Sequence, residues 1–238
     1  MASHPRKEPR LRGREVTRLE ALSDAVFGFA ATLLVVSLEV PQTFPELTAS
    51  LRGFVAFAFS FTMLILIWVA HNGYFRRYGL QDAWTVLVNS VLLFVVLFYV
   101  YPLKFLSTAL SGMFFGVGPA RPMVTSQQEM AQLMIVYGVG FIAVFTCLAL
   151  LYRHAGARWQ ELEMDEPERL EARAWFHHYL IFIGVGCLSI AIVLAGGPLW
   201  LSGVIYGLIG PLCHWNGTVA RRRVEELEQR LPAAQHDL

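Results

Sequence analysis

The sequence predicts an all-α integral membrane protein with six transmembrane helices. Of its 238 residues, 55% are hydrophobic and 16% are charged, and the mean hydropathy is +0.49. Soluble domains contain roughly 45–50% apolar and about 25% charged residues. The apolar residues also form long runs, each close to the ~20 residues that cross a hydrocarbon core about 30 Å thick. These runs are residues 19–40, 54–70, 84–106, 133–152, 179–196 and 199–215.

The first run is predicted to stay in the mature protein as a transmembrane helix and not to be cleaved as a signal peptide. A basic arm precedes it, but Ser23 and Asp24 lie within its first turns. Glu39 and Pro41 follow it in place of a small-residue cleavage pattern. The next three runs are long and apolar. The fifth and sixth are short and rich in glycine, which indicates close packing between helices.

The polar segments define the predicted domain organisation. Residues 1–17 form a basic cytoplasmic arm, residues 18–215 form the membrane domain, and residues 216–238 form a cytoplasmic helix and tail. Within the membrane domain, residues 107–129 mix Gly, Pro, Ser and Gln and are expected to form the largest external loop, with short helical pieces in it. Residues 155–175 carry many charges of both signs, so we expect them to connect two spans in the cytoplasm.

Basic residues are concentrated in the arm, in the loop between the second and third spans, and after the sixth span. Because cytoplasmic loops carry the excess of Lys and Arg, this distribution predicts that both termini are cytoplasmic. Orientation accounts for the arginine clusters without a nucleic-acid partner. The residues concerned are Arg6, Lys7, Arg10, Arg12, Arg14, Arg18, Arg76, Arg77, Arg221, Arg222 and Arg223.

Three polar residues are expected at a similar depth near the cytoplasmic ends of the first three spans. They are Asp24 on the first span, His71 at the end of the second and Asn89 on the third. A carboxylate, an imidazole and an amide at one depth can satisfy one another, and Arg18 can join them. The group is either a structural clamp between helices or a path for protons or ions. The residues themselves leave both interpretations open.

One face of the first span has the composition of a lipid-facing surface or of a pore lining. Helical spacing places Ala25, Phe29, Thr32 and Val36 along one face, which is apolar apart from the hydroxyl of Thr32. Such a stripe is ordinary if it faces lipid or a packed neighbour. If several copies surround an axis, it lines a narrow hydrophobic pore, and such constrictions gate by dewetting.

The residues around this stripe resemble a known family. Arg18, Ser23 and Asp24 fit an Arg-x-x-x-Phe-Ser-Asp pattern in which Leu22 takes the phenylalanine position, and an aliphatic helix runs on to Val40-Pro41. Together they are similar to the signature of the transmembrane protein 175 family, potassium-permeable channels of endosomes and lysosomes with six-helix bacterial homologues. The resemblance covers about residues 18–105 and includes Trp68, His71, Asn89 and Pro102.

The resemblance implies a homotetramer in which four first helices line a central pore, without a selectivity-filter loop. It implies that Phe29 forms the hydrophobic constriction, that Thr32 contributes to selectivity, and that Ala25 and Val36 also line the pore. Two positions depart from the family pattern: Leu22 replaces a phenylalanine, and Phe29 replaces a branched aliphatic residue. The supporting network would consist of Arg18, Ser23, Asp24, Trp68, His71 and Asn89.

The leading hypothesis is therefore a potassium-permeable cation channel that acts without catalysis and without a cofactor, with potassium as the permeant ion. Glu39 would form an acidic ring at the outer mouth. A single six-helix unit favours the bacterial inner membrane, with the lipid bilayer and identical chains as partners. The alternative is a proton-conducting channel or proton-coupled transporter that uses Asp24 and His71.

An intramembrane enzyme is disfavoured. His177 and His178 are adjacent and point apart on a helix, and no acidic pair lies at a suitable spacing nearby. The three cysteines fall within apolar runs and lack metal-ligand spacing, so the sequence predicts neither a disulfide framework nor a zinc site. They are Cys147, Cys187 and Cys213.

Overall fold

The computed structural model describes residues 11–13, 15–36, 42–115 and 124–230, and all regular secondary structure in this part is helical. This confirms the predicted all-α class. The helices are α1 (Arg18–Val36), α2 (Phe44–Tyr78), α3 (Ala83–Phe115), α4 (Gln127–Ala157), α5 (Glu166–Leu194), α6 (Leu199–Val204) and α7 (Ile209–Arg230).

Among the described residues, four helical stretches are long and apolar enough to cross a membrane by themselves: Phe54–Tyr78, Ala83–Ala109, Gln127–Ala157 and Glu166–Leu194. They contain most or all of the predicted second to fifth spans. The first predicted span corresponds to α1, which has 19 residues and carries three charged ones among them. The predicted continuation through residues 37–40 lies outside the described residues.

The predicted external loop over 107–129 is wrong at its beginning and its end, because α3 continues to Phe115 and α4 begins at Gln127. The hydroxyls that suggested a loop are satisfied within the helix. Ser107 Oγ donates to the carbonyl of Leu103 at 2.6 Å, and Thr108 Oγ1 donates to that of Lys104 at 2.9 Å. Ser60 Oγ on α2 also donates to Ser107 Oγ at 2.8 Å.

The predicted sixth span is not one regular helix. It consists of α6, a 3₁₀ turn over Ile205–Leu208 and the first part of α7. Pro211 has no N–H to donate to the carbonyl of Gly207, and its ring clashes with that carbonyl in a regular α-helix. The tighter turn directly precedes this proline. The helical run therefore changes its geometry inside the predicted span.

The helices pack in two groups. Within the described residues, α1 contacts α2 and α3 but none of the later helices. The second group is α4 to α7, in which α4 packs along α5, and α5 packs against α6 and α7. The α3–α4 contact forms the main junction between the groups. There the buried ring of Tyr99 on α3 lies against Gly140 on α4.

This junction gives a first prediction. A Cβ atom at position 140 would lie 2.3 Å from Cδ2 of Tyr99, so Gly140→Ala should force apart α3 and α4. We expect the free energy of unfolding to fall by about 1–3 kcal/mol, the usual cost of overpacking. Thermal unfolding of the purified protein measures it. The matched control is Gly156→Ala in the same helix, where a Cβ meets nothing within 4 Å; equal losses in the two variants would contradict the packing account.

The N-terminal arm binds the end of the bundle at which α2 ends and α5 begins, here called the arm end. Arg12 Nε donates to the carbonyl of Leu162 at 2.9 Å, and Arg12 Nη2 pairs with Glu168 at 2.7 Å. The N–H of Gly13 donates to the carbonyl of Arg76 at 3.2 Å. A Cβ on Gly13 would lie 2.6 Å from the carbonyl oxygen of Phe75, so the arm needs glycine there. The arm thus ties the start of α1 to α2 and α5.

Asp82 makes a second polar contact at this end. It accepts hydrogen bonds from Thr85 Oγ1 at 2.7 Å and from His154 Nε2 at 3.0 Å, and Arg158 lies 3.5 Å away. Burial raises the pKa of Asp82, but these hydrogen bonds and the charges of His154 and Arg158 outweigh it and lower the pKa overall. The contact is therefore strongest above the ordinary pKa of an aspartate and is lost as pH falls through the lowered value.

The Arg12–Glu168 pair gives a second prediction. A double-mutant cycle of Arg12→Gln and Glu168→Gln should yield a coupling energy of about 1 kcal/mol, because the pair is partly buried and bidentate. The same cycle on the exposed pair Arg158–Glu161 is the control and should give about 0.5 kcal/mol or less. Denaturant unfolding measures both. A coupling no larger for Arg12 than for the exposed pair would show that the arm is not held by this contact.

Candidate ion pathway and its supporting network

The predicted stripe lies on the face of α1 that its own protomer leaves uncovered. Ala25 and Thr32 are exposed, and Phe29 is 58% exposed. The opposite face is packed against α2 and α3 through Phe27, Ala30 and Leu34. Because an α-helix turns about 100° per residue, these two sets fall on opposite sides. One face of α1 is thus fixed and the other is open for another chain, lipid or water.

Two of the predicted pathway residues fall outside this description. Val36 ends α1, but the placement of its side chain is not described, and Glu39 lies in the segment outside the described residues. Their roles as a pore-lining residue and as an outer acidic ring remain predictions.

Thr32 has a defined hydroxyl geometry. Its Oγ1 donates to the carbonyl of Gly28 at 2.9 Å, one turn earlier in α1. A hydroxyl has one proton and two lone pairs, so this bond uses the donor and leaves the oxygen as an acceptor on the exposed face. An acceptor oxygen is the group that a cation or a water proton can contact. The arrangement suits a residue that meets a hydrated cation.

The core of the supporting network joins the first three helices. Asn89 Nδ2 on α3 donates to Ser23 Oγ on α1 at 2.9 Å, and its Oδ1 lies 2.7 Å from Nε2 of His71 on α2. Ser23 Oγ in turn donates to the carbonyl of Leu19 at 2.8 Å. Ser23 and Asn89 have no exposed surface, and His71 is 1% exposed. A neutral imidazole with its proton on Nε2 satisfies every contact in this chain of hydrogen bonds.

Aromatic rings enclose the imidazole. Phe27 lies 5.5 Å and Phe75 lies 4.7 Å from the His71 ring, centroid to centroid. The second nitrogen of His71, Nδ1, is buried and has no hydrogen-bond partner in the part of the chain that the structure describes. These surroundings favour a neutral clamp that holds α1, α2 and α3 in register.

Asp24 belongs to a separate contact. Trp68 Nε1 on α2 donates to Asp24 Oδ1 at 2.7 Å, and Asp24 is exposed while Ser23 beside it is buried. The structure therefore brings together Ser23, Asn89 and His71 on one side and Asp24 and Trp68 on another. Arg18, the first residue of α1, is exposed and makes no hydrogen bond or ion pair with the described residues.

Three contacts at the ends of α1 were not part of the sequence prediction. At the start, Thr17 Oγ1 accepts from the N–H of Glu20 at 3.2 Å, and the Glu20 carboxylate accepts from the N–H of Thr17 at 2.8 Å. This capping box has a readable signature, Thr-x-x-Glu before an apolar run. At the other end, Lys104 Nζ on α3 donates to the carbonyl of Leu34 at 3.2 Å. No local pattern predicts that bond, which joins distant parts of the chain.

Known proteins are similar to this chain in sequence and in architecture. The family model described as "Endosomal/lysosomal potassium channel TMEM175" matches residues 18–99. A potassium channel of Marivirga tractuosa is 37% identical over 231 residues, which cover 92% of this chain and 93% of that protein. A potassium channel of Chamaesiphon minutus is 29% identical, over 79% of this chain and 88% of its own length.

Two solved structures extend the likeness to the fold. The crystal structure of a threonine-to-alanine variant of the potassium channel MtTMEM175, in complex with a nanobody–MBP fusion, matches with a TM-score of 0.81 and 36% identity. It covers 91% of this chain and 98% of that one. A lysosomal potassium-selective channel TMEM175 homolog from Chamaesiphon minutus matches with a TM-score of 0.56 and 26% identity, over 85% and 96% of the two chains.

These matches span nearly the whole chain and include all the helices that carry the network. They confirm the resemblance seen in the sequence and the expectation that the protein is not an enzyme. The chain belongs to the TMEM175 family of potassium channels, multi-pass membrane proteins that conduct ions and catalyse no reaction.

Proposed function

We propose that this chain is a potassium-permeable cation channel in which the first helices of four identical chains surround one central pore. The observation that carries the proposal is the division of α1 into a face fixed by its own protomer and an uncovered face with Ala25, Phe29 and Thr32. A helix held in this way can line an axis without losing its own packing. The relatives named above are potassium channels, which favours potassium as the permeant ion.

The pore would conduct without a selectivity-filter loop. Phe29 is the largest side chain on the uncovered stripe, so four Phe29 rings at one level would form the narrowest point. A hydrophobic constriction of this kind gates by dewetting. Thr32 lies about one turn further along, where the oxygens of four hydroxyls would replace part of the hydration shell of an ion. Ala25 and Val36 would line the wider parts on either side.

The distribution of arginines supports an orientation of the channel in the membrane. The arm end carries Arg12, Arg76 and Arg77, and the arginine cluster at 221–223 follows the last apolar segment. By the positive-inside rule this end is cytoplasmic, as are both termini. We propose the bacterial inner membrane as the location, because the relatives named above, which match over most of their own length, are bacterial proteins.

A flux assay tests the proposal. Purified protein in liposomes with a potassium gradient should release potassium, and a proton ionophore should be needed for charge balance alone. The alternative, a proton pathway through Asp24 and His71, predicts proton movement without potassium flux and its loss in Asp24→Asn. Among the described residues Asp24 contacts Trp68 while His71 contacts Asn89, so no hydrogen bond links the two proposed proton carriers.

Light scattering of the solubilised protein should give the mass of a tetramer, and a stable monomer would refute the pore.

A further inference from the structure

A cavity of about 170 Å³ lies between α5 and α7, apart from the pore helix and its network. Arg173 and His177 of α5 line it from one side, and Asn216 and Arg223 of α7 line it from the other. Apolar side chains, Leu170 and Val219 among them, complete the wall. None of the described residues that line the cavity is acidic. The pocket is therefore positive, with a partly apolar rim.

The two arginines of this pocket are available for a ligand. Both are exposed, and neither side chain makes a hydrogen bond or an ion pair with the described residues. Asn216 Nδ2 on α7 donates to the carbonyl of Ala174 on α5 at 3.0 Å, so the two helices that carry the arginines are joined beside the pocket. Within α5, Nδ1 of His177 donates to the carbonyl of Arg173 at 2.7 Å. A guanidinium group presents a planar fork of donors that matches the oxygens of a phosphate.

Two tryptophans indicate the depth of the pocket in the membrane. Trp175 on α5 and Trp215 on α7 adjoin the lining residues, and they are 37% and 67% exposed. Exposed tryptophans gather at the boundary between hydrocarbon and headgroups. On both helices the apolar stretch lies on one side of this tryptophan and the charged stretch on the other. The two arginines thus lie at the level of lipid phosphates.

We propose that this pocket binds the phosphate of an anionic phospholipid headgroup, with the guanidinium groups of Arg173 and Arg223 as hydrogen-bond donors. Basic pockets between helices at the cytoplasmic surface recognise headgroups in this way. The apolar rim favours a lipid over free phosphate, because it offers a surface to the glycerol and the first methylenes. The site does not depend on the proposed pore, since no residue of α1 contributes to it.

Native mass spectrometry of the detergent-purified full-length protein tests this, with phosphatidylglycerol, phosphatidylcholine or inorganic phosphate added. We expect tighter binding of phosphatidylglycerol than of phosphatidylcholine, and no binding of phosphate at equal concentration. An arginine in direct contact with the headgroup contributes about fivefold in affinity. The R173Q/R223Q double variant should therefore bind phosphatidylglycerol roughly 25-fold more weakly.

The matched control is R221Q/R222Q, which also removes two positive charges, both from α7 next to Arg223, but changes no lining residue. It should weaken binding less than twofold. Equal losses in the two double variants would overturn the pocket in favour of diffuse surface charge, and phosphate bound as tightly as the lipid would overturn the headgroup assignment. If R173Q/R223Q elutes as aggregate, the single variants, each expected to be about fivefold weaker, carry the same test.

Discussion

Replacement of Phe29 by alanine is expected to raise potassium flux about tenfold, which corresponds to about 1.4 kcal/mol off the barrier to conduction. The side chain is 58% exposed on the uncovered face of α1, so in the proposed tetramer the loss of four rings would widen the constriction without disturbing the packed face. A wider and less apolar gap holds water more readily, and a wetted gap conducts. Single-channel recording or liposome flux measures the change.

The control for this prediction is Phe94→Ala. Phe94 is 72% exposed on α3, so the same substitution removes a similarly exposed ring from a helix outside the proposed pore. Its flux should equal that of the unchanged protein. A Phe29→Ala channel with unaltered flux would show that the narrowest point lies elsewhere on α1. A rise in both variants would indicate a general loosening of the bundle.

The second large effect is expected at Asn89, whose replacement by alanine should lower the free energy of unfolding by about 1–3 kcal/mol. The change removes two buried hydrogen bonds and leaves Nε2 of His71 without its acceptor. Three helices meet at this side chain, so assembly should weaken with stability. Ser90→Ala is the control, because Ser90 is exposed and bonds to the carbonyl of Val86 in its own helix.

The Asn89→Ala variant also distinguishes the interpretation as a structural clamp from that as a proton path. If Asn89 acts as a clamp, adding His71→Leu should cost less than the sum of the two single changes, because the unpaired partner is removed as well. A proton path predicts instead that Asn89→Ala leaves unfolding unchanged and alters the pH dependence of flux. Unfolding in denaturant and flux at several pH values, on the same preparations, decide between these results.

Much of the architecture could be predicted because hydrocarbon thickness sets the length of apolar runs. The second to fifth spans follow from that rule alone, and the 3.6-residue period places Ala25, Phe29 and Thr32 on one face. The start of the predicted loop at residue 107 was wrong because the Ser107 and Thr108 hydroxyls bond back to their own helix, so a polar composition did not end α3 there.

The polar network shows a second limit of prediction from the sequence. Sequence position gives the depth of Asp24, His71 and Asn89, but it does not give their direction around each helix axis. Ser23 and Asp24 are adjacent and therefore about 100° apart, so one meets Asn89 and the other meets Trp68. The contact of Arg12 with Glu168 joins residues 156 positions apart and has no periodic signal. Such contacts depend on tertiary packing.

The attachments of α1 bear on how the bilayer could act on the channel. Its first turn is tied through the arm to α5, whereas its last turn is held by Lys104 of α3. A lateral tension or a change in membrane thickness that shifts α5 relative to α3 would displace the two ends of α1 unequally. The helix would then tilt instead of sliding along its axis, and the width of the proposed pore would change with the tilt.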